Sequence, residues 1–363
     1  MSSNERARIH VGVLFGGPSD EYEVSCNSAA SVVHHLDRNR FAVTPIRISK
    51  AGAWIVGNDA ASNGGADAGA LLRSTPDEGA GAGPGLGAAI AALERLDVVF
   101  PVLHGPYGED GTVQALCELI GVPYVGSGVF SSAAGIDKQQ TKRLLAAEGM
   151  AVAKGIVVED DGAAIDRAAL EALGLPCFVK PARSGSSVGV SKVNDWAGLD
   201  AALELARRSG PKIMIEEAVP GREVDVAVVE YPDGRVVAGP PLEILLPGST
   251  AFFDYDAKYN DKSVVFKIPA ELDPPVAALL SEQAIQAFRI LGCNGLLRVD
   301  FFLRPEGGRL VPVINEVNTM PGLTAMSQVP RMMQAAGVSY PDFLATLIDT
   351  ARATVRPISI AKR

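Results

Sequence analysis

Two apolar segments near the end of the chain are each interrupted by polar residues of one chemical kind. The segment LLRVDFFL (296–303) carries Arg298 and Asp300, and LVPVINEVN (310–318) carries Glu316 and Asn318. On a strand, alternate residues face one side, so Arg298 points with Asp300 and Glu316 with Asn318. The turn Arg304-Pro305-Glu306-Gly307-Gly308 between them predicts a hairpin. Asp300, Glu316 and Asn318 then converge as hard oxygen donors beside a guanidinium, which is the ligand chemistry of Mg²⁺ with nucleotide phosphates. A solvated hairpin face could carry the same residues, but the surrounding strands are otherwise apolar.

Two further clusters are chemically suggestive. Phe178-Val179-Lys180-Pro181 runs into Ser184-Gly185-Ser186-Ser187-Val188-Gly189. Small residues let backbone N–H groups approach a phosphate that Lys180 would neutralise. No Gly-Lys dipeptide occurs, so a Walker-type loop is excluded, and Gly12 to Gly17 lacks dinucleotide-fingerprint spacing. His104-Gly105-Pro106-Tyr107-Gly108-Glu109-Asp110-Gly111 follows an apolar run directly, where open α/β sheets bind ligands. A second strand-end loop, Gly16 to Ser25, carries Glu21 and Glu23, either of which could hold an ammonium group.

The elements that must position these groups follow from the pattern. Ile9–Phe15, Phe41–Ile48 and Leu96–Leu103 read as buried strands separated by helical segments, predicting a parallel α/β unit at the amino-terminal end. Residues 57–89, rich in Gly and Ala without a period, read as a flexible insertion, with helical pattern resuming at Ala88. Beyond Ile136 come a helix (137–148), strands near 152–158, 177–181 and 212–217, and a helix at 195–208. Past Pro220-Gly221 come strands around the turn Pro232-Asp233-Gly234, a helix at 274–291, the hairpin, and a helix at 340–353. Three units are expected: 1–133, 134–220 and 221–363.

The 363 residues carry 33 basic and 42 acidic side chains, a net charge of −9, which disfavours nucleic acid as a partner. Cys26, Cys117, Cys177 and Cys293 form no CxxC pair and are expected to be reduced. No stretch approaches the ~20 apolar residues of a membrane span, and no apolar signal core is present, so no membrane partner and a cytoplasmic location are expected.

Together these motifs resemble the D-alanine–D-alanine ligases of the ATP-grasp superfamily. The resemblance rests on GGPSDEYEVS (16–25), HGPYGEDG (104–111), GVPYVGSG (121–128), DKQQTK (137–142), VKPARSGSSVGVSKV (179–193), GREVDVAVVE (221–230), FDYDAKY (253–259), RVDFF (298–302) and NEVNTMPGLTAMSQVP (315–330). It implies a three-domain fold: a parallel α/β domain, then central and carboxy-terminal α+β domains clasping ATP.

The resemblance also assigns roles. Lys138, Lys180 and Lys258 contact phosphates, with Ser186 and Ser187 in the phosphate loop. Glu216 takes the adenine amino group, with backbone near Val219 on the ring, and Glu223 takes the ribose. Asp300, Glu316 and Asn318 ligate two Mg²⁺ (or Mn²⁺). Glu23 grips the ammonium of the first D-alanine, with His104 beside it, and Ser186 and Tyr259 link Glu23 to a lid at 248–262 that carries Phe252, Phe253 and Tyr255. Arg298 and the N–H of Gly322 face the oxyanion, and Ser327 meets the second carboxylate. A homodimer is implied. The expected reaction is ATP-dependent synthesis of D-alanyl-D-alanine through an acyl phosphate, for peptidoglycan precursors. The alternative is a ligase for D-serine or D-lactate as second substrate, against which Lys258-Tyr259 speaks. Tyr22, Leu323, Ser184, Gln328 and Val224-Asp225-Val226 depart from the family pattern or fall where it varies.

Overall fold

The computed structural model describes residues 8–57, 85–159, 165–185, 188–245 and 264–354. Strand β1 (Ile9–Gly16) is buried over its last six residues, the signature of a parallel strand covered on both faces. Helix α1 (Tyr22–His35) crosses back so that β2 (Phe41–Ile48) pairs with β1 in parallel, Gly16 lying opposite Ile48. A short strand not foreseen from the sequence, β3 (Trp54–Val56), adds antiparallel to the β2 edge. Helix α2 (Gly85–Leu93) starts inside the expected 57–89 insertion, of which 58–84 lies outside the described residues. Strand β4 (Val98–Pro101) is parallel to β1 on its other side and completes the order β3-β2-β1-β4. Helices α3 (Thr112–Ile120) and α4 (Val129–Ile136) follow.

Helix α5 (Lys138–Ala147), capped by the Asp137 side chain on the Gln140 N–H at 3.2 Å, comes before the second sheet. Strands β5 (Gly155–Val158), β6 (Cys177–Pro181), β7 (Ser191–Val193) and β8 (Ile213–Glu217) form an antiparallel sheet of order β5-β8-β6-β7. Helices α6 (Arg167–Leu173) and α7 (Leu199–Arg207) bury Leu170 and Leu199, Ala202, Leu203 and Ala206 in its core.

The third sheet contains β9 (Arg222–Glu230), β10 (Val236–Ala238), β11 (Leu242–Leu245), β12 (Val265–Lys267), β13 (Leu296–Glu306) and β14 (Arg309–Asn318). Its order is β12-β11-β9-β13-β14, with β10 paired to β9. Helix α8 (Pro274–Ile290) lies on one face, where Leu280, Ala284 and Phe288 meet Val224, Val226, Val228, Val299 and Phe301. The alternate positions of β9, Ala227 and Val229, face a different core. There they join α9 (Gln328–Ala335), α10 (Tyr340–Ala353) and the amino-terminal sheet. The expected hairpin forms, with one refinement. Asp300 pairs with Glu316 and Phe301 with Ile314, so Asn315 is an extra residue, a bulge that lets Ile314 and Glu316 face opposite sides.

Helix α10 is the element that joins the ends of the chain. Phe343, Leu344 and Leu347 are fully buried in one core with Val32 and Val33 of α1 and Val98 and Phe100 of β4. Among the described residues no helix is long and apolar enough to cross a membrane, and three of the four free cysteines are buried. Because Phe343 fills space shared by both ends of the chain, Phe343→Ala should remove about 3–5 kcal/mol. It should also lower the melting of the amino-terminal unit, followed by amide exchange in β1 and β4. Protection in β1 and β4 equal to wild type would show that α10 does not support that sheet.

Candidate active site

A cavity of about 370 Å³ opens where the carboxyl end of the parallel sheet meets β13, β14 and the 319–328 loop. Its wall includes Glu21, His104, Glu109, Arg298, Asn318, Gly322, Ser327 and Gln328. The residues that sequence spacing brought together on the hairpin are together here. Arg298 Nε and Nη2 donate to the two oxygens of Asp300, each at 2.7 Å, and Asn318 Nδ2 donates to Asp300 Oδ2 at 3.1 Å. Burial works against the Arg298 charge, but Asp300, Asp225 and Glu316 outweigh it and push the guanidinium pKa above its ordinary value.

The structure separates the two glutamates of the Gly16–Ser25 loop. Glu23 is a correction to the sequence reading. Its side chain is 75% exposed and faces Lys50 at 3.8 Å, away from the cavity. Glu21 is buried against the turn after His104 and the loop that begins at Ser184: a Cβ at Gly185 would stand 2.4 Å from Glu21 Oε2, and one at Gly105 3.0 Å from it. Two residues along a helix turn by about 200°, so the two side chains leave the start of α1 in opposite directions. Gly185 directly precedes Ser186, so it is Glu21, not Glu23, that lies beside this stretch of the Gly/Ser segment.

His104 is 4% exposed and belongs to a chain of hydrogen bonds. Its Nδ1 donates to the Met320 carbonyl at 2.9 Å; its Nε2 meets Ser28 Oγ at 3.2 Å, and Ser28 Oγ accepts the Leu323 N–H at 3.3 Å. Burial lowers the imidazole pKa against the pull of Glu21, so the ring is neutral with its proton on Nδ1. Glu109, in the same motif, was not singled out from the sequence. Its carboxyl accepts the Gly105 N–H at 2.8 Å and the Met320 N–H at 3.1 Å. Tyr340 Oη adds a hydrogen bond to the Leu323 carbonyl, and Ser31 Oγ accepts the Ala325 N–H at 3.1 Å. The loop that presents Gly322 is thereby held from three elements. Ser327 stands at the start of α9, its Oγ accepting the Thr324 N–H at 3.1 Å, and a Cβ on Gly322 would lie 3.1 Å from that Oγ.

A second polar cluster joins the central sheet to the hairpin. Lys180 meets Glu216 at 2.5 Å and Asn315 Oδ1 at 3.3 Å, and Lys142 also pairs with Glu216. Lys138 Nζ donates to the Ser184 carbonyl at 2.7 Å and faces Glu316 at 3.2 Å. Burial alone would raise the Glu216 carboxyl, but Lys142 and Lys180 hold it below the usual carboxylate range. Burial pushes the Lys142 ammonium down to about 8 against Glu216. Lys142 is a second residue the sequence reading missed, although it lies one helical turn after Lys138. Asp137 is the third: Lys212 reaches both its oxygens at 2.9 and 2.8 Å, and Arg183 reaches one at 2.7 Å. Glu223 is the second residue of β9 and Val219 lies in the link from β8, both half-buried. Ser186, Ser187, Lys258, Tyr259 and the aromatic residues of the expected lid lie outside the described residues.

Among the described residues no three His, Cys, Asp or Glu side chains group as a metal site. The hairpin set is two carboxylates and an amide, which fits Mg²⁺, an ion that takes one or two carboxylates and completes its shell with phosphate oxygens and water.

A parallel α/β unit followed by two antiparallel sheets, with lysines and carboxylates between them, defines the ATP-grasp class of enzymes. The chain belongs to the D-alanine–D-alanine ligase family, ADP-forming ligases of that class. Family models described as D-ala D-ala ligase N-terminus and C-terminus match residues 10–127 and 144–349. It is 48% identical over 359 residues to the D-alanine–D-alanine ligase of Nocardia farcinica, covering 95% of this chain and 98% of that one. It is 46% identical over 379 residues to that of Mycobacterium tuberculosis, covering 97% and 98%. Among solved structures it resembles the VanG D-Ala:D-Ser ligase of Enterococcus faecalis, with TM-score 0.79, 35% identity and coverage of 95% and 100%. The Bacillus anthracis D-alanine–D-alanine ligase complexed with ATP gives TM-score 0.73, 26% identity and coverage of 95% and 97%.

The protonation of Glu109 is testable. An unstructured glutamate titrates near 4.5; burial and the Glu21 charge raise this one to about 8. Between those values the native state holds a proton that the unfolded state has lost, so stability falls as pH rises from about 4.5 to about 8. Urea denaturation of wild type and Glu109→Gln at pH 5.5 and 7.5 isolates the effect. The wild type should lose at least about 1 kcal/mol relative to the variant over that interval. Parallel pH dependences would mean that Glu109 is ionised throughout.

Proposed function

We propose that this enzyme joins two D-alanines into D-alanyl-D-alanine at the expense of ATP, supplying peptidoglycan precursors. The observation that carries the reading is the single cavity in which a buried carboxylate (Glu21), a guanidinium (Arg298), the Gly322 segment and Ser327 face one another. It adjoins the Lys138, Lys180 and Glu316 cluster. In this reading Glu21 takes the ammonium of the first D-alanine. The carboxylate of that first D-alanine attacks the γ-phosphorus of ATP, giving a D-alanyl phosphate and ADP. Lys138 and Lys180 shield the phosphate charge from the anionic nucleophile, Lys180 exchanging Glu216 for phosphate oxygen. The amine of the second D-alanine then attacks the acyl carbon, and inorganic phosphate leaves. Arg298 and the Gly322 N–H face the oxygen on which negative charge gathers, and Ser327, at the positive end of α9, receives the second carboxylate. Asp300, Glu316 and Asn318 would hold Mg²⁺, which supplies further neutralisation of the transferring phosphate. Glu216, Val219 and Glu223 would line the adenine and ribose side.

The same reading takes 1–133, 134–220 and 221–363 as domains and the active form as a homodimer, which sedimentation can check. Product analysis by mass spectrometry with ATP, D-alanine, D-serine and D-lactate together should show D-alanyl-D-alanine as the main product. A dominant ester or D-alanyl-D-serine would overturn the second substrate. The two loop glutamates give the sharper mutational test. Glu21→Gln should lower kcat/KM for D-alanine by about 100-fold or more, whereas Glu23→Gln should stay within about twofold of wild type. The reverse order would restore Glu23 to the site.

A further inference from the structure

Arg298 stands between two buried carboxylates. Asp225 on β9 is directly opposite Asp300 on β13, and the two are 1% and 5% exposed. The guanidinium gives its Nε and Nη2 hydrogens to Asp300 at 2.7 Å each, while Asp225 Oδ2 is 3.6 Å from the same Nε. A fork of parallel N–H groups serves one carboxylate at a time. That Asp225 oxygen is instead taken by the Gln328 side chain, whose Nε2 donates to it at 2.8 Å. Gln328 is the first residue of α9 and lines the substrate cavity next to Ser327.

We propose that Gln328 is a positioning residue for the oxyanion donor, an inference that rests on the ligase reading above. By occupying Asp225 Oδ2 with a neutral donor, it leaves Arg298 committed to Asp300 and its guanidinium fixed at the cavity wall. An apolar side chain at 328 gives that buried oxygen nothing in exchange. Arg298 Nε, already 3.6 Å away, need close less than an ångström to replace Gln328. That movement takes the fork off Asp300 and out of line with the developing charge. The effect is on the transition state, so it belongs in kcat rather than in the binding of ATP.

Three chains decide it: wild type, Q328L and the double variant D225N/Q328L, each assayed for D-alanyl-D-alanine and ADP formation and for thermal unfolding. Q328L should lose about tenfold in kcat with the KM for ATP within about twofold, a fraction of the loss expected from removing an oxyanion donor outright. D225N/Q328L lowers the charge that competes for Arg298 and should recover most of that kcat. Q328M, of similar length and without a donor, should repeat the Q328L result if Q328L does not fold. Wild-type kcat in a folded Q328L or Q328M overturns the proposal, as does a loss that Asp225→Asn fails to reverse. A wild-type chain that forms no dipeptide removes the ligase reading and this inference with it. An active wild type with insensitive variants removes the inference alone.

Discussion

Arg298 and Asp300, two residues apart on one strand, grip each other through two hydrogen bonds of 2.7 Å, and the centre of the site depends on that pair. Asp225, Asp300 and Glu316 occupy facing positions on β9, β13 and β14, so three carboxylates lie in one row across the sheet. Like charges in such a row repel. The arrangement persists because Arg298 sits inside it, Lys138 approaches Glu316 at 3.2 Å, and Asn318 and Gln328 add neutral donors. The register that creates the row is fixed from the opposite face. Val299, Phe301 and Leu303 are fully buried there with the side chains of α8, and a slip of one residue would exchange them for Arg298 and Asp300.

The cavity is lined by loops as well as by residues of α1, β12, β13, β14 and α9. The loops are the one before α1, the turn after β4 and the segment after β14. What gives it a definite shape is hydrogen bonding between loops. Glu109 accepts the Met320 N–H and His104 donates to the Met320 carbonyl, while Ser28 and Tyr340 do the same for Leu323. A residue whose N–H and carbonyl are both held by distant side chains has the two peptide planes that flank it fixed. Gly322 lies between two such residues.

The parallel strands, the hairpin and α10 were legible because each has a period that burial alone dictates, and Phe41–Ile48 and 340–353 appear with the expected limits. That Arg298 points with Asp300 and Glu316 with Asn318 followed from alternation, yet the Asn315 bulge that sets Glu316 opposite Asp300 did not, since the register running from Glu306 and Arg309 would put Asn315 there. Strand β3 was missed because three residues at an edge carry no readable period. The choice between Glu21 and Glu23 needs the direction in which α1 leaves the sheet, a tertiary quantity. Glu109, Lys142 and Asp137 lay inside quoted motifs. Their partners, however, are 211, 74 and 75 residues away, beyond any local rule.

The packing of α10 has a bearing on how this protein is made. The face of β1 and β4 that carries Val11, Val13, Val98 and Phe100 is covered partly by side chains more than 200 residues further along the chain. During synthesis the amino-terminal sheet therefore emerges with this side covered only in part, by α1, until the chain has been made through α10. At ~5–20 residues per second that interval is on the order of ten seconds or more. The nascent unit is in that time an exposed apolar surface of the kind that chaperones hold. The substrate cavity, whose loops α10 braces through Tyr340, comes into existence only as α10 docks.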